Sequence, residues 1–128
     1  MREVHHSGGA FEAAASYSRA VRTGSAIAVS GTAATGEDGT ALHPGDAGAQ
    51  ARVCIERALA AVAALGGAPE HVIRTRVYLA PEADWRGAVD AHRDAFAGID
   101  PANTTVFVAG FIPEGVLVEV ELDAVLDV

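Results

Sequence analysis

Residues 101–124 read PANTTVFVAGFIPEGVLVEVELDA, and this stretch decides the fold because it has the pattern of two strands joined by a turn with Pro113 and Gly115. From residue 116 to 126 the sequence alternates with a period of two, as expected for a strand with one buried face. The apolar positions of that face are Val116, Val118, Val120, Leu122, Ala124 and Leu126. The opposite face carries Glu119, Glu121 and Asp123. We expect the apolar face to enter a core and the carboxylate row to be either solvated or shared with a partner surface.

The bulk composition predicts one domain spanning residues 1–128. A length of 128 residues with 50% hydrophobic and 20% charged side chains is typical of a single globular domain. The formal net charge of −8 repels phosphate backbones, and the sequence has no basic patch to offset it. We therefore expect no nucleic-acid partner.

Cysteine usage and the N-terminal sequence indicate the compartment. Cys54 is the only cysteine, so an intrachain disulfide is excluded and a reducing compartment fits. The N-terminal sequence MREVHHSGG lacks the basic and apolar regions of a signal peptide, and no apolar run approaches ~20 residues. We expect a cytoplasmic protein without a membrane partner.

Extended and helical patterns follow one another along the chain before residue 101. Extended patterns cover 2–6, 17–23, 26–31 and 72–79, and helical patterns cover 47–65 and 84–97. The segment Thr23-Gly24-Ser25 is short enough to join two of these strands in a hairpin. This order predicts an α+β fold, with a six-stranded mixed sheet and both helices packed on one face.

Each predicted helix has an apolar stripe with which to cover the sheet. The first stripe consists of Ala51, Ile55, Ala58, Leu59, Val62 and Leu65, and the second of Trp85, Val89, His92 and Phe96. Cys54 lies beside the first stripe, without the base partner that a nucleophile needs. We interpret Cys54 as a small buried hydrophobe.

The second face of the sheet carries charges of both signs. Strand 72–79 contributes Arg74, Arg76 and Tyr78 to this face, opposite the carboxylate row. Such a mixed surface is typical of an interface, although an antiparallel sheet also occurs with one face in water. The pattern favours an oligomer and leaves a solvated face as the alternative.

Few residues offer candidate chemistry. The five histidines show no i, i+4 pairing and no accompanying cysteine or carboxylate pattern, so we predict no metal site and no cofactor. His92 interrupts an apolar stripe, which fits either a hydrogen-bonded structural histidine or one that faces a ligand. The carboxylate row supplies either a general acid or base, when desolvated, or a salt-bridged surface.

Five fragments in order resemble one protein family. They are YSRAV at 17–21, VSG at 29–31, VIRTRVYL at 72–79, Pro101-Ala102, and VEVELDAV at 118–125. Together they resemble the RidA/YjgF family of reactive-intermediate deaminases over nearly the whole chain. The resemblance implies a homotrimer whose sheets face inward, with a small-molecule cleft at each subunit interface.

The resemblance also implies the site residues. In active members an arginine after Pro-Ala clamps the carboxylate of a 2-imino or 2-aminoacrylate acid, and a glutamate helps a water to hydrolyse the C=N bond and release ammonia. The glutamate corresponds to Glu119, a tyrosine of the cleft wall to Tyr17, and a serine with its glycine to Ser30 and Gly31. Asn103 occupies the position of the arginine.

Asn103 alters the expected function, because an amide offers neutral hydrogen bonds where a guanidinium offers a bidentate, charge-assisted clamp. Arg76 either compensates for this change or forms an interface ion pair with Glu119 or Glu121. Three functions remain open: an imine or enamine deaminase with an altered substrate, a non-catalytic metabolite-binding or regulatory trimer, and a chorismate-mutase-like enzyme. An endoribonuclease role, assigned to some relatives, conflicts with the net charge of −8.

Overall fold

In the computed structural model, which describes residues 1–127, both long helices begin at an aspartate cap. The Asp46 side chain accepts a hydrogen bond from the Ala49 amide of helix α2 (Ala47–Ala64), and the Asp84 side chain accepts one from the Arg86 amide of helix α3 (Trp85–Phe96). A cap of this kind stabilises a protein by about 1 kcal/mol. Both helices agree with the predicted ranges to within one residue at each end.

Six strands form one sheet behind these helices. The other elements are β1 (Arg2–His5), α1 (Ala10–Ala15), β2 (Ala20–Thr23), β3 (Ala26–Ala33), β4 (Val72–Leu79), β5 (Ala102–Phe107) and β6 (Val118–Val125). The strand order is β1-β2-β3-β6-β4-β5, in which β4 and β5 are parallel and all other neighbours are antiparallel. The predicted α+β class, with a six-stranded mixed sheet covered by two helices on one face, is confirmed.

The core lies between β6 and α2. Val118, Val120 and Leu122 have no exposed surface, as their alternation predicts. Burying a side chain of this size stabilises the fold by about 1.5–3 kcal/mol. Cys54 is fully buried against the same strand, and its Sγ lies 3.6 Å from the Val118 carbonyl oxygen. Cys54 is therefore a core side chain, as predicted.

The predicted hairpin of residues 101–124 is wrong. β5 pairs in parallel with β4, whereas β6 lies between β3 and β4 and contacts β5 nowhere in the sheet. The burial of β6 requires a central position, while the largely exposed and polar β5 suits an edge. Strand β4, helix α3 and strand β5 therefore form a parallel crossover unit.

The apolar stripe predicted for α3 is only partly buried. Trp85 and Val89 are exposed, whereas Ala88, Ala91 and Phe96 are buried. The cause is a close crossing of α2 and α3, where a Cβ on Gly48 would lie 3.3 Å from the Gly87 Cα. Helices at this distance need small side chains between them, so Ala88 and Ala91 face inward, whereas Trp85 and Val89 face outward.

Local irregularities account for the remaining differences in the strands. A bulge between Val72 and Arg74 turns Ile73 away from the core, although simple alternation would place it on one face with Val77 and Leu79. The predicted strand 17–23 begins only at Ala20, because Ser16 has a left-handed backbone (φ 61°) that ends the unpredicted helix α1.

Gln50 lies in the core although it is polar and does not belong to the apolar stripe of α2. Its side chain is fully buried and accepts a hydrogen bond from the Leu117 amide at 2.8 Å. It also donates to the Gly115 carbonyl at 3.1 Å. Gln50 therefore fastens the segment before β6 to helix α2.

Candidate functional site

A bulge in β3 creates the surroundings of Glu119. The pairing of β3 with β6 shifts register between Val29 and Thr32, so that Ser30 and Gly31 interrupt the ladder. A Cβ at Gly31 would overlap the Glu119 Oε1 atom. The bulge and its glycine therefore allow the Glu119 carboxyl to lie directly against the β3 backbone.

Arg19 joins this bulge to Tyr17. The Arg19 guanidinium donates hydrogen bonds to the Gly31 carbonyl at 2.8 Å and to the Thr32 hydroxyl at 3.2 Å. Its Cζ lies 5.6 Å from the centre of the Tyr17 ring, within the range of a cation–π contact. The Ser30 hydroxyl donates to the Ser18 carbonyl at 2.8 Å.

These contacts bring four of the expected site residues into one region. We call this region the Glu119 cluster, and it consists of Tyr17, Arg19, Ser30, Gly31 and Glu119. Sequence reasoning did not single out Arg19. The signal lay within the quoted fragment YSRAV, where the arginine stands two residues after the tyrosine.

The Glu119 carboxyl has a raised pKa. Burial is the main cause, and the nearby Glu121 carboxylate adds to it, whereas the positive charge of Arg19 acts in the opposite direction. Among residues 1–127, no hydrogen bond reaches this carboxyl. Glu119 is therefore a half-buried acid whose protonation responds to pH closer to neutrality than that of an exposed glutamate.

Asn103 lies away from the Glu119 cluster, on the helix-covered side of the sheet edge. Its Nδ2 donates to the Thr75 hydroxyl at 3.0 Å, and its Oδ1 accepts from the Thr105 hydroxyl at 3.0 Å. Thr75 Oγ1 also lies 2.7 Å from His92 Nε2. These contacts fix the orientation of the Asn103 amide.

His92 belongs to the same network. Burial lowers the pKa of His92, which favours the neutral ring. Because Asn103 already donates to Thr75, the Thr75 hydroxyl proton is free to be donated to His92 Nε2. His92 is thus hydrogen-bonded, and one edge of its ring also faces an open groove.

This groove runs between α3 and β5 and has a volume of about 130 Å³. Its polar lining comes from His92, Arg93, Asn103 and Thr105. Arg93 is the cation in this lining that an anionic ligand would contact, and it also pairs with Asp90 at 2.9 Å. Sequence reasoning missed Arg93, which follows Val89 by one helical turn and could have been found from that spacing.

A single chain does not unite Asn103 with Glu119. Asn103 lies on the edge strand β5 on the helix side, while Glu119 lies on the opposite face of β6, with β4 between the two strands. A site that uses both residues would need two copies of the chain.

Arg76 lies on the open face, where its guanidinium is 3.4 Å from Glu121 and 3.3 Å from Asp123. The Tyr78 hydroxyl donates to Glu121 at 2.7 Å. That hydrogen bond, together with burial, raises the pKa of Tyr78. Arg76 is thus engaged within its own chain by two of the three carboxylates of the row, and Glu119 is the member that forms no ion pair with any of residues 1–127.

Other chemistry is limited in the described part of the chain. Burial raises the pKa of the Cys54 thiol to about 12, so this side chain is protonated at neutral pH. Within residues 1–127, no group of three or more His, Cys, Asp or Glu side chains is arranged to hold a metal ion. None of the helices in that range has the length and apolar character needed to cross a membrane.

Proteins of known sequence and structure share this fold. The family model described as Endoribonuclease L-PSP matches residues 7–126. Rv2704 of Mycobacterium tuberculosis, a member of the YjgF/YER057c/UK114 family, superimposes with a TM-score of 0.88 at 36% identity, over 98% of this chain and 100% of its own. The chain belongs to the RidA/YjgF family.

Two further similar proteins extend the comparison. Protein SCO2049 of Streptomyces coelicolor is 39% identical over 119 residues, which is 92% of this chain and 87% of that protein. Escherichia coli TdcF, whose crystal structure contains bound serine, has a TM-score of 0.76 and 27% identity over 87% of this chain and 88% of its own.

Proposed function

We propose that this RidA/YjgF protein is a homotrimer that binds a small metabolite in clefts between subunits and hydrolyses an imine or enamine there. The observation that carries the proposal is the Glu119 carboxyl, which lies half-buried against Gly31 without a hydrogen bond from the rest of residues 1–127. Perturbed carboxyls of this kind concentrate at functional sites. A carboxyl without an internal partner is free to bind a water or a ligand.

The proposed chemistry uses Glu119 to move protons. The ionised carboxylate accepts a proton from water while the water oxygen adds to the imine carbon, and Glu119 returns this proton to the imine nitrogen, which produces a neutral carbinolamine. Glu119 then transfers the hydroxyl proton to the nitrogen, the C–N bond breaks, and ammonia leaves as the carbonyl forms. The raised pKa of Glu119 suits both steps, because a carboxyl whose pKa lies nearer to neutral pH both accepts and donates a proton more readily.

The placement of the two expected site residues supports a cleft between subunits. Glu119 and Asn103 lie on opposite sides of the sheet in one chain, so a ligand that contacts both would lie between two copies. The serine bound by TdcF supports a ligand the size of an amino acid.

The substrate is expected to differ from that of family members with an arginine after Pro-Ala. The Asn103 amide is held by Thr75 and Thr105 and carries no charge for a carboxylate. The loss of a charge-assisted contact costs about 1.5–3 kcal/mol, which is roughly tenfold to hundredfold in transition-state binding. We therefore propose imines without an α-carboxylate as the preferred substrates.

The test compares two carboxylates of the same strand. Ammonia release above the spontaneous rate is measured with 2-iminopropionate, formed by an amino-acid oxidase, and with a neutral aldimine, formed by an amine oxidase. We expect the aldimine to be the better substrate and Glu119→Gln to abolish its turnover. The matched control is Asp123→Asn, which removes a carboxylate of the same strand that Arg76 binds and should leave the rate nearly unchanged.

The outcomes separate the deaminase from a binding protein. Equal turnover in wild type and Glu119→Gln would contradict the role of Glu119. Saturable binding of a small acid or amine without turnover would favour the non-catalytic metabolite-binding trimer, which the neutral Asn103 also fits. A monomer in sedimentation at micromolar concentration would remove the proposed cleft.

Ribonuclease activity is named in the description of the matching family model. The net charge of −8 disfavours it here, because binding an RNA backbone depends on cationic side chains that release its counterions. The open face of the sheet also pairs its Arg76 with two carboxylates. We therefore propose no nucleic-acid substrate.

A further inference from the structure

Helix α1 carries a buried carboxylate beside the proposed site. Glu12 is only 4% exposed and lies in this six-residue helix. It accepts hydrogen bonds from the Ser7 amide at 3.1 Å and from the Ser7 hydroxyl, and His6 Nδ1 lies 3.3 Å from its Oε1. Burial opposes the ionisation of Glu12, but these hydrogen bonds and the charge of Arg19 outweigh it and hold its pKa below the usual value. Glu12 is therefore a carboxylate at neutral pH.

Arg19 is held between Glu12 and the β3 bulge. Its Nε lies 3.6 Å from Glu12 Oε2, and its side chain is 12% exposed. The Nε atom is buried without a hydrogen-bond partner, and among residues 1–127 Glu12 is the one carboxylate within 4.0 Å of this guanidinium. The other end of the guanidinium is fixed by the Gly31 carbonyl. Arg19 is therefore held on one side by the charge of Glu12 and on the other by hydrogen bonds to the β3 bulge.

The same guanidinium lies close enough to Glu119 to influence it. Gly31, whose carbonyl Arg19 binds, is the residue against which Glu119 Oε1 packs. The Arg19 charge favours the ionised forms of both Glu12 and Glu119. Among residues 1–127, the guanidinium pairs with Glu12, which lies within 4.0 Å, and it acts on Glu119 through its charge at longer range.

We propose that Glu12 is a positioning residue that anchors Arg19 on the β3 bulge, which prevents the guanidinium from pairing with Glu119 and leaves the Glu119 carboxyl free for the ligand. This inference rests on the proposed role of Glu119. Without the anchor, Arg19 turns towards Glu119, forms an ion pair with it and lowers its pKa. The chain thus uses one buried carboxylate to preserve the reactivity of another.

Other groups around Glu119 stay unchanged when Glu12 is altered. On β6, Glu121 is bound by Arg76, and on β4 Tyr78 donates to Glu121. From α2, Arg57 donates to the backbone carbonyls of Ala33 and Thr35, and Cys54 remains protonated. A change in the titration of Glu119 after substitution of Glu12 is therefore assigned to Arg19.

The experiment measures the titration of Glu119 directly. In protein with ¹³C-labelled glutamate side chains, the Glu119 carboxyl signal, assigned by its loss in Glu119→Gln, is followed by NMR across pH without any substrate. We expect Glu12→Gln to lower the pKa of Glu119 by about one pH unit, because an unanchored guanidinium then pairs with it. Glu56→Gln, which removes an exposed glutamate of α2, is the control and should leave the titration unchanged.

A second substitution tests the route through Arg19. The double variant Glu12→Gln, Arg19→Gln should return the pKa of Glu119 to the wild-type value or above it, because no guanidinium remains to form the pair. Arg19→Gln alone should also raise it, because the Arg19 charge lowers the pKa of Glu119 in the wild type. Glu12→Asp, which keeps the charge but draws the carboxylate back from Arg19, should lower it and replaces Glu12→Gln if that variant fails to fold. An unchanged pKa in Glu12→Gln, or an equal fall in the single and double variants, would overturn the proposal.

The titration also separates this inference from the proposed function. If the protein hydrolyses no imine but the pKa of Glu119 falls in Glu12→Gln, then the anchoring role stands and the deaminase function fails. If the enzyme is active, then the acid limb of its pH–rate profile should move to lower pH in Glu12→Gln, in parallel with the titration. A structural role of Glu12 alone would lower stability without moving that limb.

Discussion

Replacing Asn103 by arginine tests how this chain selects its substrate. Asn103 makes two side-chain hydrogen bonds, one to Thr75 and one from Thr105, and the substitution removes both. Each is worth about 1 kcal/mol, so the variant should lose about 1–2 kcal/mol of unfolding free energy. Thr75 keeps its hydrogen bond with His92, which limits the cost of leaving this buried hydroxyl without Asn103.

The expected gain in activity is larger than this loss. A guanidinium at position 103 would reach the groove of about 130 Å³ between α3 and β5 and offer a charged clamp for a carboxylate. A contact worth about 1.5–3 kcal/mol raises kcat/KM for 2-iminopropionate by roughly tenfold to hundredfold. The rate with a neutral aldimine should stay level or fall, because that substrate has no carboxylate to bind.

The assay follows ammonia release from both imines in wild type, Asn103→Arg and Asn103→Gln. The glutamine variant lengthens the side chain without adding charge, and we expect no gain with 2-iminopropionate from it. The reasoning would be refuted by an Asn103→Arg protein of wild-type oligomeric state whose rate with 2-iminopropionate is unchanged. It would equally be refuted by wild type acting faster on 2-iminopropionate than on the neutral aldimine.

Three further substitutions probe the site and its support. Because burial raises the pKa of Glu119 in the folded state, the folded chain binds more protons there than the unfolded chain between the two pKa values, and the unfolding free energy falls as pH rises through that interval. In denaturant titrations, Glu119→Gln should therefore be more stable than wild type at neutral pH. This advantage should disappear below pH 4.5, the usual pKa of a glutamate. A variant less stable than wild type at neutral pH would contradict this expectation. Gly31→Ala should displace the Glu119 carboxyl and abolish imine hydrolysis. The control Gly36→Ala should stay active, because its Cβ would lie 3.4 Å from the nearest atom, Asp38 Oδ1. Full activity in Gly31→Ala would argue against close packing of Glu119 on Gly31. Gln50→Leu should lower the unfolding free energy by about 2 kcal/mol, since the Leu117 amide and Gly115 carbonyl lose their partner; an unchanged denaturation midpoint would show that these groups find other partners.

Periodicity identified the elements of this fold because local patterns report burial on one face. The alternation of residues 116–126 predicted which side of β6 is buried, and Val118, Val120 and Leu122 are indeed fully buried. The helical patterns at 47–65 and 84–97 predicted where each helix begins. An aspartate caps each of these starts, and a cap acts within one turn of the chain. Five ordered fragments likewise indicated the family to which the chain belongs.

The sequence did not predict which strands pair, because pairing depends on contacts between residues that are far apart along the chain. Residues 101–124 look like a hairpin by composition, but β6 is the more apolar strand and takes the central position, while β5 joins the edge through α3. The outward turn of Trp85 follows from the close approach of Gly48 and Gly87, which is a property of two helices and not of either alone.

For the candidate site, the sequence by itself determined the residue types and the face of β6 on which the carboxylates lie. It nominated Glu119 and marked Asn103 as the departure from the family pattern. Only the tertiary structure decided that the carboxylate row is divided, with Glu121 and Asp123 bound by Arg76 and Glu119 pressed against Gly31. The physical reason is that the three carboxylates have the same spacing in the sequence, so the sequence does not distinguish them. Their surroundings differ because the bulge in β3 and the cations of other elements lie beside different members of the row.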